Sequence, residues 1–168
     1  MWTSPLWSPP VALSPAEQQV ATRAATRKKL FVFLRESRGE LFDETFQDEL
    51  LEMYRQTGAG KPPVPPALLA MATVLQAYTG VGDQEAVELT VDSKRWQLVV
   101  GCLGAEEPAF SQGALFDFRM RLLGTGMDQR LLERTVELAR GRGGSTPKPC
   151  GWRWTPARCG AGAGWKTP

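Results

Sequence analysis

The stretch Pro66-Ala67-Leu68-Leu69-Ala70-Met71-Ala72-Thr73-Val74-Leu75-Gln76-Ala77-Tyr78-Thr79 decides the fold class. Leu68, Met71, Ala72, Leu75 and Tyr78 recur at the helical spacing and face one way. Leu69, Ala70, Val74 and Ala77 fill the other side and leave little polar surface. A helix that is apolar nearly all round belongs at the centre of a core, so other elements must surround it. Pro66 stands at the first helical position and Gly80 is placed to close the helix.

Upstream, Ser14-Pro15-Ala16-Glu17 is a helix start: Ser at the cap, Pro at the first helical position, and Glu three residues after the Ser. No Gly or further Pro follows until about Arg38, and Val20, Ala24, Leu30, Phe31 and Leu34 line one side. The polar middle of this stretch predicts two helices with a bend near Lys28. Asp43 to Gln56 is the next helix, with Phe42, Phe46, Leu50 and Tyr54 on one stripe. Gly58-Ala59-Gly60-Lys61-Pro62-Pro63 is a connector that no helix crosses.

Downstream, a helix is expected from Asp83, as cap, to about Thr90, and another from Ser93 to Val100. A further helix follows Ser111 to about Leu123, with Leu115, Phe118 and Leu122 inward. After a break at Gly124-Thr125-Gly126 the last runs from Gln129 to Arg140, capped by Asp128, with Leu131, Leu132, Val136 and Ala139 inward. No segment shows strand alternation between turn signals. The expected class is all-α, a helical bundle over residues 14–140, with a flexible N-terminus (1–13) and a disordered tail (141–168).

The tail explains the charge. Residues 141–168 hold seven Gly, three Trp, five Lys or Arg and no Asp or Glu, with no Leu, Ile, Val, Phe or Met. Such a segment supplies neither a helix face nor a core strand. The first 140 residues carry 15 basic and 18 acidic side chains, so the body is net −3 and the chain's +2 belongs to the tail. The basic balance is therefore no evidence of nucleic-acid affinity in the body.

Other classes are excluded directly. The chain has no His, and Cys102 is the single Cys of the body, which rules out a His/Cys metal site and any Ser-His or Cys-His nucleophile pair. No metal or cofactor is expected. No apolar run approaches the ~18 residues of a membrane span. Met1 to Pro10 lacks the basic start and apolar stretch of a secretory signal, so the cytoplasm is the expected location. The acidic run Glu40, Asp43, Glu44, Asp48, Glu49 and Glu52 reads as a solvated face opposite the Phe42 stripe. Trp96 reads as core and Cys102 as a small buried residue.

Three motifs in order carry a resemblance. They are Gly60-Lys61-Pro62-Pro63-Val64-Pro65-Pro66-Ala67-Leu68-Leu69 leading into the apolar helix, then Asp92-Ser93-Lys94-Arg95-Trp96, then Phe110-Ser111-Gln112 into the helix ending Phe118-Arg119-Met120-Arg121-Leu122. This pattern, over about residues 30–140, resembles the N-terminal domain of bacterial insertion-sequence transposases of the InsH type. The resemblance implies a helix-turn-helix-like domain whose partner is double-stranded DNA at the element's ends, with a full-length transposase or a second copy as further partners. It points to Lys94, Arg95, Ser111, Gln112, Arg119 and Arg121 as DNA contacts, because a helix in the major groove needs cations and amides outward and a phosphate near its N-terminus. Asp117 departs from the basic or small residue common in that helix. A standalone helix-turn-helix regulator and a protein–protein interaction domain stay open as alternatives.

In that family a ribonuclease-H-like domain follows, whose Asp-Asp-Glu set holds two divalent ions. No such segment stands in this chain, but the genetic code places one in a shifted frame. Reading the last base of each codon with the first two of the next, Trp154 into Thr155 forces an Asp, and Trp165 into Lys166 forces a Glu. GC-rich codon choices make Pro149 to Thr167 back-read as Leu-Arg-Val-Ala-Leu-Asp-Ala-Ser-Pro-Leu-Trp-Gly-Gly-Gly-Arg-Val-Glu-Asp-Thr, close to the segment holding the family's first catalytic Asp. The expectation is a frame slip near Gly141 and a product without transposase activity.

Overall fold

The computed structural model describes residues 6–54 and 64–142. Among them run eight α-helices and no strand: α1 (Pro15–Arg27), α2 (Lys29–Leu41), α3 (Glu44–Glu52), α4 (Pro66–Thr79), α5 (Asp83–Asp92), α6 (Lys94–Val100), α7 (Gln112–Thr125) and α8 (Met127–Gly141). The fold is all-α, as the apolar helix requires. The tail expected to be disordered lies outside the described residues, apart from Gly141, which ends α8, and Arg142.

α4 is the centre. Leu69, Ala70, Met71, Ala72 and Leu75, from both of its sides, are buried, and α3, α5, α6 and α7 pack around it. Each buried Leu or Met there contributes about 1.5–3 kcal/mol by transfer from water. The core ends one turn before the helix does. Tyr78, expected inward, is 45 % exposed, with its ring edge-on to Phe31 of α2 at 5.8 Å. Gly80 closes α4 at φ 74°, a left-handed conformation that suits a residue without a Cβ.

The start of α1 carries the full capping box. Ser14 Oγ accepts from the Glu17 N–H at 3.2 Å, and Glu17 Oε2 accepts from the Ser14 N–H at 2.8 Å. The bend expected near Lys28 is a complete break: Lys28 closes α1 and precedes α2 at φ −133°. Boundaries differ elsewhere. Asp43 does cap α3, its Oδ1 accepting from the Phe46 N–H at 2.8 Å, but the helix stops at Glu52. Asp83, expected as a cap, is instead the first residue of α5 behind Gly82, because its carboxylate is bound elsewhere. Gly124 and Thr125 stay helical, and the joint to α8 is Gly126 alone, at φ 72°. Asp128 therefore sits in the first turn of α8 rather than at its cap. Leu132, expected inward, is exposed, because α8 lies on the outside of the bundle against α2 and α7.

Two buried arginines on α2 organise the upper end. Arg38, 4 % exposed, donates to Leu98 O (3.4 Å), Val99 O (3.0 Å) and Pro10 O (2.8 Å). Leu98 and Val99 are the last turn of α6, whose carbonyls have no helical partner, so a cation there also meets the negative end of the helix dipole. Arg35 donates to Pro10 O, Val11 O and Ala12 O and pairs with Glu17. Gln47 completes the strap by accepting from the Trp7 N–H at 2.8 Å and donating to Trp7 O at 3.1 Å. Trp7, Pro10, Val11 and Ala12 of the N-terminal segment are thus hydrogen-bonded to side chains of α2 and α3. Burial pulls the Arg38 pKa down to about 10, aided by the charge of Arg35, which leaves it protonated at neutral pH. Gly101, at φ 83°, closes α6 where a Cβ would meet Pro9 Cβ at 3.0 Å and Arg38 Nη1 at 3.1 Å.

The acidic run on α2 and α3 is more than a solvated face. Two arginines of α8 and the residue that closes it reach this run: Arg130 pairs with Glu49, Arg134 with Asp43, and Arg142 with Glu40. Arg134 also donates to Leu41 O and Glu40 O, capping the end of α2. Glu44, Asp48 and Glu52 remain exposed as expected.

Candidate nucleic-acid interface

The six residues expected to meet DNA fall on two helices. α6 begins Lys94-Arg95-Trp96. Trp96 is buried in the core, as expected, and its burial fixes a register that leaves Lys94 and Arg95 exposed. The Arg95 guanidinium lies 5.8 Å from the centre of the Phe31 ring, within cation–π reach. Because Arg95 meets the start of α2 and Leu98 and Val99 meet Arg38, α2 and α6 run parallel, with both N-termini at one end.

α7 begins at Ser111, whose Oγ accepts from the Ala114 N–H at 3.2 Å. Leu115, Phe118 and Leu122 point inward as their spacing requires. The opposite face presents Gln112, Gly113, Phe116, Asp117, Met120 and Arg121, all exposed. Phe116 and Met120 are 50 % and 53 % exposed and stand one turn apart. A search for cations and amides passes over them; their spacing of four, offset from the Leu115 stripe, is the signal that finds them. Gly113 has nothing within 4 Å of where a Cβ would sit, so packing among the described residues does not require it. A helical Gly costs about 0.5–1 kcal/mol relative to Ala.

Arg119 is paired within the bundle. Its two terminal nitrogens donate to the two oxygens of Asp83, each at 2.5 Å, and Gln76 donates to the same carboxylate at 2.9 Å. The Arg119 hydrogen bonds hold the Asp83 carboxyl below the usual carboxylate range. This fork ties α7 to α4 and α5. Nothing local in the sequence marks the pairing, since the partners are 36 residues apart. Arg121 is exposed, with its guanidinium 4.5 Å from the Tyr54 ring at the far end of α7 from Ser111 and Gln112.

The turn geometry bears on the helix-turn-helix expectation. A tight Gly80-Val81-Gly82 turn joins α4 to α5, as such motifs require. The outward residues of α5 are Gln84, Glu85, Glu88 and Asp92, a surface that repels phosphate. α7, the better face, is reached through the longer loop from Gly101 to Ser111.

Among the described residues no group of His, Cys, Asp and Glu is placed to hold a metal ion, and no helix is long and apolar enough to cross a membrane. Cys102 is half-buried rather than core, and burial pushes its thiol pKa up, away from the reactive thiolate.

The family model described as Transposase domain (DUF772) matches residues 23–121, more than half of the chain. The chain belongs to this family of transposase domains. The matched span runs from within α1 to Arg121 in α7 and includes both groups of candidate residues. The resemblance read from the three motifs is thus borne out at the level of the family, and membership implies a role in transposition. No curated protein and no solved structure matches the chain.

Proposed function

We propose that this chain is the DNA-binding N-terminal part of an insertion-sequence transposase of the InsH type, and that the outward face of α7 reads the element's ends. The observation that carries this is the composition of that face. Gln112 supplies an amide that matches the adenine edge, Phe116 and Met120 supply apolar contact for thymine methyls, and Asp117 is an acceptor for the cytosine amino group. Gly113 lets the backbone come close. Lys94, Arg95, Ser111 and Arg121 fix the register through phosphates. Arg119 acts from behind, holding α7 in place.

The test is fluorescence anisotropy of the intact chain with a duplex of the element's terminus and a scrambled duplex of equal length. Gln112→Ala with Asp117→Ala is expected to reduce the preference for the terminus about tenfold or more, since each good base contact is worth about 1–3 kcal/mol. Equal losses on both duplexes would remove α7 as the reading helix. Self-association through Phe116 and Met120 without DNA binding would favour the interaction-domain reading instead.

The same reading takes the segment from Gly141 as the start of the catalytic half in a shifted frame. The chain then performs no strand transfer itself and acts in the cytoplasm by occupying element ends or pairing with an intact transposase. Nucleotide sequence past the Arg140 codon is expected to show an open alternate frame encoding the Leu-Arg-Val-Ala-Leu-Asp segment; a closed or unrelated frame rules the slip out.

A further inference from the structure

We propose that the phosphate contacts of Lys94 and Arg95 are part of a larger surface at the end of the bundle where α1 meets α2, one that grips the phosphate backbone of duplex DNA also through Arg27, Lys28 and Lys29, with Tyr78 beside them. The kind of partner rests on the DNA reading above; the surface itself rests on the fold. Sequence alone marks Lys28 only as a bend. The parallel packing of α2 and α6 turns two separate basic dipeptides, Lys28-Lys29 and Lys94-Arg95, into neighbours. Arg95 lies over Phe31, three residues from Lys28, and Tyr78 stands edge-on to the same ring.

All five cations are exposed, and none forms an ion pair among the described residues. This contrasts with the far side, where Arg130, Arg134 and Arg142 are each matched by a carboxylate. Asp92 is the nearest acid along the chain and is not paired with them. A body of net −3 therefore leaves a concentration of unmatched positive charge at one end.

Helix stability does not account for all of it. Arg27 and Lys28 close α1, where the helix dipole favours cations. Lys29, Lys94 and Arg95 occupy the first turns of α2 and α6, where it disfavours them, and neither first turn holds an acidic residue. Tyr78 explains itself in the same way. Its exposed ring adds a hydroxyl donor at the edge of a cationic surface, a residue type that meets phosphate oxygens directly. Phosphate contacts position a protein on a duplex without reading sequence, so this surface supplies affinity while α7 supplies choice.

The discriminating experiment is the salt dependence of binding for the intact chain and its Lys28→Gln/Lys29→Gln variant, on the terminal and scrambled duplexes. Each phosphate neutralised contributes about 0.9 to the slope of log K against log salt. The variant is expected to lose about 2 from that slope and to weaken on both duplexes by the same factor, with its thermal midpoint unchanged. An unchanged slope in a variant that still binds overturns the surface and leaves the α7 reading standing. A chain that binds the scrambled duplex with the expected slope change, but shows no preference for the terminus, keeps the surface and removes the element-end reading. Failure of the intact chain to bind either duplex overturns both. Tighter binding to single-stranded RNA or to anionic vesicles than to duplex overturns the choice of partner.

Discussion

Arg38→Met is expected to lower the stability of the bundle by about 3–5 kcal/mol, a large share of the ~5–15 kcal/mol typical of a domain. The side chain volume is nearly kept, so the effect reports the loss of the guanidinium's hydrogen bonds and charge rather than a cavity. The carbonyls of Leu98 and Val99 lose their donor together, and that of Pro10 keeps only Arg35. Each buried polar group left unmatched costs about 1–3 kcal/mol. The thermal midpoint, followed by circular dichroism, should fall by about 10 °C or more at this chain length. Arg38→Lys should be intermediate, because an ammonium lacks the planar fork that spans three acceptors. A Met variant melting within two degrees of the parent would mean that water replaces the guanidinium, and the account of the upper end would fail.

Trp96→Ala should be comparably severe, at about 3–5 kcal/mol, as for other buried aromatic truncations. Trp96 is 1 % exposed and sits in the main core with Phe31, Met71 and Val99. Its neighbour Arg95 is exposed, and Arg95→Gln should change stability by no more than about 0.5 kcal/mol. Consecutive residues of one motif thus differ in their expected weight in folding, Trp96 carrying it and Arg95 not. Thermal melts of the two variants check this directly. Equal destabilisation by both would make Arg95 a structural residue and take it out of the interface.

The fold was legible because its signals are local. Ser14, Pro15 and Glu17 announce α1, Gly80 ends α4, and the apolar sweep from Leu68 to Leu75 fixes the centre. The surroundings of the candidate site were legible only in part, because what decides them is paired at long range. Nothing near Arg119 reveals that Asp83 occupies its fork, and nothing near Lys28 reveals that α6 brings Arg95 alongside. Tyr78 shows the limit of periodicity: the stripe states which way a side chain points, whereas the extent of neighbouring helices decides whether anything covers it. The N-terminal strap was invisible for a related reason. Its partners are main-chain carbonyls, which every sequence has, and the guanidiniums that find them sit on a helix face otherwise read as polar.

The bonds from Arg38 to Leu98 and Val99 have a consequence during synthesis. A ribosome adding about 5–20 residues per second needs several seconds to travel from codon 38 to codon 100. Throughout that interval the guanidinium has no helix end to meet, and the leading residues from Trp7 to Ala12 have only part of their anchorage. The segment from Trp7 to Ala12 is thus among the last to settle, and a nascent polypeptide halted before Val100 leaves it without its full anchorage.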